Sequence, residues 1–293
     1  MCPFGTDNAH YKNTYLYNIT ELLAIVSRLN GTLIIDDGLI KSKTSKFKIQ
    51  YCNAELYPVI DFNLDTDYVT IDSKELSNAL LKTVYACSND TGVLSGVYFN
   101  NDNVVATDGN RLVINKINDI GINTIMPKAF CEEVIRLFTD DIALIRVLNN
   151  KILISNDKIA LMGNIIAGNY PKYEQLLPKD FKYEVKFKKS IFLESLNTLM
   201  PLFNDRFMIC QLDINGCLVK MQGDNGNATG ETELLFEESN IGEQLSICFN
   251  AHFLMDMLKN YDEDITMQFN SSLSPTVFTD KNGRYSLIMP IKK

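Results

Sequence analysis

Five stretches of helical periodicity recur along this chain, beginning near Asn18, Ser73, Pro127, Lys188 and Asn250, at intervals of 55, 54, 61 and 62 residues. Repetition at a near-constant period constrains architecture more tightly than any single motif. Each start carries helix-initiating chemistry. Asn18-Ile19-Thr20-Glu21 reads as a capping box. Asp72-Ser73 offers N-cap oxygens, and Pro127 suits a first helical position. Apolar residues then follow at helical spacing: Leu22, Ile25, Val26 and Leu29; Leu76, Leu80, Val84 and Cys87; Ile191, Leu193, Leu196 and Leu199.

A meander of short strands follows each helix. Thr32–Ile35 and Leu39–Ile49 flank Asp37-Gly38, and Phe207–Ile214 and Cys217–Gln222 flank Asn215-Gly216, a type I′ hairpin signal. Ile142–Leu148, Lys151–Ser155 and Lys158–Ile165 form a third meander. Ile265–Phe269, Thr276–Thr279 and Tyr285–Ile291 form the last. One unit reads β-α-β-β-β, the chain holds about five units, and the fold class is α+β. The competing reading is a generic α+β protein whose spacing is coincidental. The first unit begins mid-sheet, at Phe4-Gly5-Thr6-Asp7, without an opening strand and helix.

At 293 residues the chain accommodates two or three domains. No run approaches the roughly 18 apolar residues of a membrane span, and Met1–Thr6 lacks signal-peptide character. Seven cysteines without a Cys-x-x-Cys pair point to free thiols in a reducing cytoplasm. His10 and His252 have no partner at metal-ligand spacing, so neither a metal nor a cofactor is expected. The acidic pairs Asp36-Asp37, Glu132-Glu133, Asp140-Asp141 and Glu237-Glu238 lie without a histidine or nucleophile nearby and read as solvated charge rather than catalysis. Asp224-Asn225-Gly226-Asn227 lacks the ligand spacing and closing glutamate of a calcium loop.

The run Ala106-Thr107-Asp108-Gly109-Asn110-Arg111-Leu112 carries more than a hairpin needs, because Asp-Gly alone supplies the positive-φ turn. It resembles the ATDGHRL hairpin of the bacterial sliding clamps, the beta subunit of DNA polymerase III. Other segments resemble that family in the same order. They are Gly5-Thr6-Asp7, Ala54-Glu55-Leu56-Tyr57-Pro58, Leu94–Phe99, Met126-Pro127-Lys128, Gly168–Tyr173 with Leu176-Leu177-Pro178, Phe249-Asn250, Ser274-Pro275 and Ile288-Met289-Pro290-Ile291. Three features depart from the family: the first half of its domain one has no counterpart here, roughly one repeat unit; Asn110 stands in place of its histidine; and the chain closes on Lys292-Lys293.

The resemblance implies a DNA-clamp fold with antiparallel sheets outside and helices lining a channel. Residues 1–65 would be the second half of a first domain, 66–180 a second domain and 181–293 a third. It implies a non-catalytic processivity factor that encircles duplex DNA without sequence preference, as a cytoplasmic head-to-tail homodimer. Its partners would be a replicative polymerase subunit, a clamp loader and other proteins with clamp-binding motifs. The alternative is a truncated module that binds such peptides without encircling DNA.

Matched position by position, the peptide pocket would use Leu94, Thr107, Gly109, Asn110, Arg111, Leu112, Pro171, Gln175, Leu176, Leu287, Met289 and Pro290. Phe207, Asn250, Phe253, Ile288 and Ile291 would surround it. Arg111 would help fix the peptide's register. Phe47, Ile49 and Leu202 match the dimer contact. The helical segments carry eight basic residues for the channel: Arg28, Lys74, Lys82, Lys128, Arg136, Lys188, Lys189 and Lys259. Six acidic ones oppose them, which makes the segments mildly basic within a chain of net charge −8. A weakly basic lining with an acidic exterior suits sequence-independent, salt-sensitive attraction to phosphate.

Overall fold

The computed structural model describes residues 15–53, 62, 66–118, 120–204, 206 and 208–292. The Gly5-Thr6-Asp7 and Ala54–Pro58 motifs and Phe207 lie outside the described residues. The chain forms two compact units, Met1–Asn63 and Leu64–Lys293.

The first unit runs β1 (Tyr15–Tyr17), α1 (Ile19–Val26), β2 (Ile34–Asp36), β3 (Leu39–Lys41), β4 (Lys46–Lys48) and β5 (Tyr51–Asn53). Asn18 caps α1 by accepting from the backbone N–H groups of Thr20 and Glu21. The continuous strand expected over 39–49 is two strands. A turn closed by the Ser42 N–H to the Ser45 carbonyl, and by the Ser45 N–H to Ser42 Oγ, folds it back on itself. The sheet order is β2-β3-β4, with β1 paired separately to β5.

In the second unit the first stretch is β6 (Val69–Asp72), α2 (Ser73–Leu81), β7 (Gly96–Asn100), β8 (Asn103–Thr107), β9 (Arg111–Lys116), β10 (Asn123–Pro127), α3 (Lys128–Leu137), β11 (Ile142–Leu148), β12 (Lys151–Ser155) and β13 (Ala160–Asn164). The second is β14 (Tyr183–Lys188), α4 (Lys189–Leu199), β15 (Ile209–Asn215), β16 (Leu218–Asp224), β17 (Thr229–Leu235), β18 (Glu238–Ser239), β19 (Leu245–Asn250), α5 (Ala251–Lys259), β20 (Asp264–Phe269), β21 (Thr276–Asp280) and β22 (Tyr285–Ile288). The five described helices start where the periodicity places them, and α1 and α2 end before the last of their apolar positions, Leu29 and Cys87. Pro127 precedes α3 as the last residue of β10 rather than opening the helix. After α2 the apolar positions Val84 and Cys87 continue in and just past a 3-10 turn.

These strands form an antiparallel nine-stranded sheet, β10-β7-β8-β9-β22-β21-β20-β14-β18, and two four-stranded sheets, β13-β12-β11-β6 and β17-β16-β15-β19. α2 packs on α3 and α4 on α5. Each pair is buried against its sheets around a separate core. Leu76, Leu80, Phe99, Val134 and Ile145 belong to one, and Phe187, Phe192, Leu196, Phe249 and Leu258 to the other. Gly163 has a packing role: a Cβ there would lie 2.5 Å from the Phe130 ring of α3. The two stretches are continuous through β9 and β22, whose register sets Leu112 opposite Leu287 and Arg111 opposite Ile288.

Candidate functional site

The turn between β8 and β9 is organised by its own side chains. Thr107 Oγ1 donates to the Arg111 carbonyl at 2.6 Å and accepts from the Gly109 N–H. Asp108 Oδ1 accepts from the N–H groups of Asn110 and Arg111. Gly109 takes φ +90°, where a Cβ would be strained. Thr, Asp and Gly are thereby each accounted for, and Asn110 is left facing solvent.

Arg111 is only 10 % exposed at its side chain. Nε donates to Asp108 Oδ2 at 2.9 Å, Nη1 to Asp256 Oδ2 of α5 at 2.8 Å, and Nη2 to the Tyr85 carbonyl at 2.7 Å. Its guanidinium also lies 4.3 Å from the centre of the Phe253 ring. All three guanidinium nitrogens are thus engaged within the chain. Arg111 ties the β8–β9 turn to α5. Beside it, burial pushes the Tyr85 hydroxyl up to about 12.

Below this turn lies a small apolar core of Val105, Leu112, Ile114, Tyr173, Val277 and Leu287, which joins β8, β9, β21 and β22 to the segment after β13. In that segment a 3-10 turn, Tyr173–Leu176, follows Pro171, whose carbonyl accepts from the Tyr173 N–H. Tyr173 is the buried anchor of the turn, which leaves Gln175 exposed and Leu176 63 % exposed. Burial holds the Tyr170 hydroxyl above its ordinary value. Neither tyrosine was among the expected site residues, although both lie in the Gly168–Tyr173 motif. Beyond β22, the Met289 N–H donates to the Asn110 carbonyl at 2.9 Å and the Ile291 N–H to the Cys248 carbonyl.

The fold thus brings Thr107–Leu112 and Leu287–Met289 into direct backbone contact, with Tyr173 packed on Leu112 and Leu287. Leu112, Leu287 and Ile288 are buried, whereas Leu176 and Met289 are apolar and open to solvent. Pro290 and Ile291 are half-buried, as is Leu94, whose carbonyl accepts from the Ser88 N–H. Asn250 is buried as the N-cap of α5, accepting from the His252 N–H. Phe253 packs on the α4/α5 core.

Among the residues matched to a dimer contact, Phe47 is exposed, Ile49 is buried and Leu202 is half-buried beside Gly223 and Gly230. The basic residues are mostly engaged. Lys74 pairs with Asp140 and Arg136 with Glu133, and Lys188 pairs with Asp264 and Glu237. Lys189 donates to the Tyr261 carbonyl, Lys128 to Asn89 and Arg28 to the Ala24 carbonyl. Lys259 is exposed at the end of α5. Partial burial, reinforced by nearby Arg284, lowers the Lys82 pKa against the opposing pull of Asp262 and Asp280.

Residues 174–292 match the family model for the DNA polymerase III beta subunit, C-terminal domain. The beta sliding clamp of Rickettsia bellii is 26 % identical over 299 residues, covering 91 % of this chain and 78 % of that protein. This chain is a relative of the bacterial beta sliding clamps. The Streptococcus pneumoniae clamp is also 26 % identical, over 81 % of the chain and 67 % of its own length. The clamp fold extends through nearly all of the chain. The Bartonella birtlesii sliding clamp, solved bound to griselimycin, superimposes with a TM-score of 0.88 at 20 % identity, covering 98 % of this chain and 84 % of its own. The Bacillus subtilis clamp gives 0.84 at 19 %, covering 95 % and 80 %.

Proposed function

We propose that the chain is a clamp-type processivity factor, a non-catalytic accessory of a DNA-directed DNA polymerase. In this reading residues 1–65 are half of a first domain, and 66–180 and 181–293 are the second and third. A head-to-tail homodimer then closes around duplex DNA through Phe47, Ile49 and Leu202. The basic residues of the helices attract phosphate weakly, since five of the eight are already paired with carboxylates or backbone carbonyls. Partner peptides dock beside the β9–β22 seam. The observation that carries this reading is the seam itself: a rigid, buried Leu112–Leu287 floor flanked by the solvent-facing apolar side chains of Leu176 and Met289. Such an arrangement offers anchors to an apolar peptide, and methionine adapts to differing shapes.

Retention on nicked circular DNA in the presence of a clamp loader, and release when the circle is cut, tests the ring. A chain that stays monomeric at micromolar concentration and leaves polymerase run length unchanged overturns it. A second reading, a peptide-binding module that never encircles DNA, is favoured by the exposed apolar surface of the first unit. It expects a clamp-binding peptide to bind, and Met289→Ala to weaken it, while circular DNA is never retained.

A further inference from the structure

The four complete half-units of residues 64–293 obey one pairing rule. The strand before each helix leaves its own half and pairs antiparallel with the first strand after the helix of the neighbouring half. β6 pairs with β11, β10 with β7, β14 with β20 and β19 with β15. The register is the same in all four. The residue immediately before the helix stands opposite the first residue of the receiving strand: Asp72 with Ile142, Pro127 with Gly96, Lys188 with Asp264 and Asn250 with Ile209. The other edge of three of these pre-helix strands, β10, β14 and β19, is covered from its own half. β18 lies on β14, and the N–H groups of Ile166 and Ile291 reach the carbonyls of Ile125 and Cys248. The helices of the two halves then pack side by side.

The first unit has half of this arrangement. β5 covers one side of β1, much as β18 covers β14. Among the described residues the receiving strand β2 is an outer strand of its sheet, however, and all three of its residues are exposed, with Ile34 at 63 % and Ile35 at 43 %. α1 buries none of its residues, and Ile19 and Leu23 are 63 % and 57 % exposed. An open strand edge beside an exposed apolar helix is a template for another strand and helix of the same kind.

We propose that this face takes a second copy of the first unit, each copy laying its β1 on the β2 of the other. Transferring the register of the four internal pairs sets Asn18 opposite Ile34, Tyr17 opposite Ile35 and Leu16 opposite Asp36 of the other copy. Two antiparallel α1 helices then bring Glu21, in the first turn, against Arg28 of the other copy, just past the last turn, so charges and helix dipoles are complementary. β4, which carries Phe47, lies at the opposite edge of the sheet and is not used. The inference therefore stands or falls separately from ring closure.

The test uses full-length chains in a Cys2→Ser, Cys52→Ser background, because Cys52 sits opposite Leu16 in the β1–β5 pair. A Leu16→Cys chain is mixed with an Asp36→Cys chain and oxidised, and the product is mapped by peptide mass. A 16–36 disulfide between copies is expected, with none when the second chain carries Lys46→Cys on β4. In the unsubstituted protein, amide exchange at Ile34–Asp36 should slow as concentration rises. Glu21→Arg alone and Arg28→Glu alone should each weaken self-association severalfold, and the double swap should restore it. A monomer, a dimer cross-linked only through residue 46, or exchange at Ile34–Asp36 that ignores concentration overturns the proposal.

Discussion

α1 and α5 are built from the same local chemistry and have opposite fates. Both are capped by an asparagine whose side chain accepts from the backbone N–H two residues on, and both follow a strand and carry apolar residues at helical spacing. α5 buries Ala251, Leu254, Met255, Met257 and Leu258, whereas α1 buries nothing. The difference lies in what stands alongside. α5 has α4 and two sheets around it, and α1 has the sheet of a single half. An amphipathic stripe makes a helix worth burying, but a second β-α-β-β-β half is what buries it.

The sharpest way to break this comparison is to truncate one apolar residue in each setting. Leu80→Ala, in the α2/α3 core, should cost about 2–5 kcal/mol in urea unfolding followed by circular dichroism. Leu23→Ala in α1, at dilution, should stay within about 0.5 kcal/mol. Equal costs would mean that α1 is already packed.

Next in size is the junction that the first unit lacks. Arg111→Ala leaves Asp108 and Asp256 without their cation and should cost about 2–3 kcal/mol, part of the penalty being relieved by the partial exposure of Asp256. A double-mutant cycle with Asp256→Ala should show coupling of about 1 kcal/mol or more. Additive losses would reduce Arg111 to a packing residue. Beside that junction, Leu176→Ala and Met289→Ala should each weaken a fluorescent clamp-binding peptide by roughly 5- to 30-fold. Unfolding should barely move, since both side chains face solvent.

The smallest effect in energy is a difference in thiol reactivity. Cys52, exposed in the first unit, should alkylate quickly in the native protein at pH 8. Burial pushes the Cys87 thiol up to about 12, so it stays protonated at that pH and should react only on unfolding, as should buried Cys131 and Cys210. Rapid labelling of Cys87 would place the second unit nearer to the first in openness.

Much of the fold is written locally. Asn18, Asp72 and Asn250 announce helix starts because a cap is a contact between residues two or three apart. Asp108-Gly109 announces its turn because a positive φ excludes most side chains. Helix ends were less legible: Val84 and Cys87 keep the apolar spacing of α2 although the helix stops at Leu81, because burial against the sheet continues through a 3-10 turn. Within the candidate site, Thr107, Gly109 and Leu112 are legible as a motif. The partners of Arg111 are not, since Tyr85 and Asp256 lie 26 and 145 residues away.

By itself, then, the sequence determined the unit and its repetition, because helix caps, hairpin turns and apolar periods act over a few residues. Only the tertiary structure decided that first strands are exchanged between neighbouring halves, that β9 and β22 join two cores through one sheet, and that Arg111 points inward. Those outcomes depend on which distant backbone edges and charges come within hydrogen-bonding distance. Local chemistry leaves such pairings open until the halves have packed.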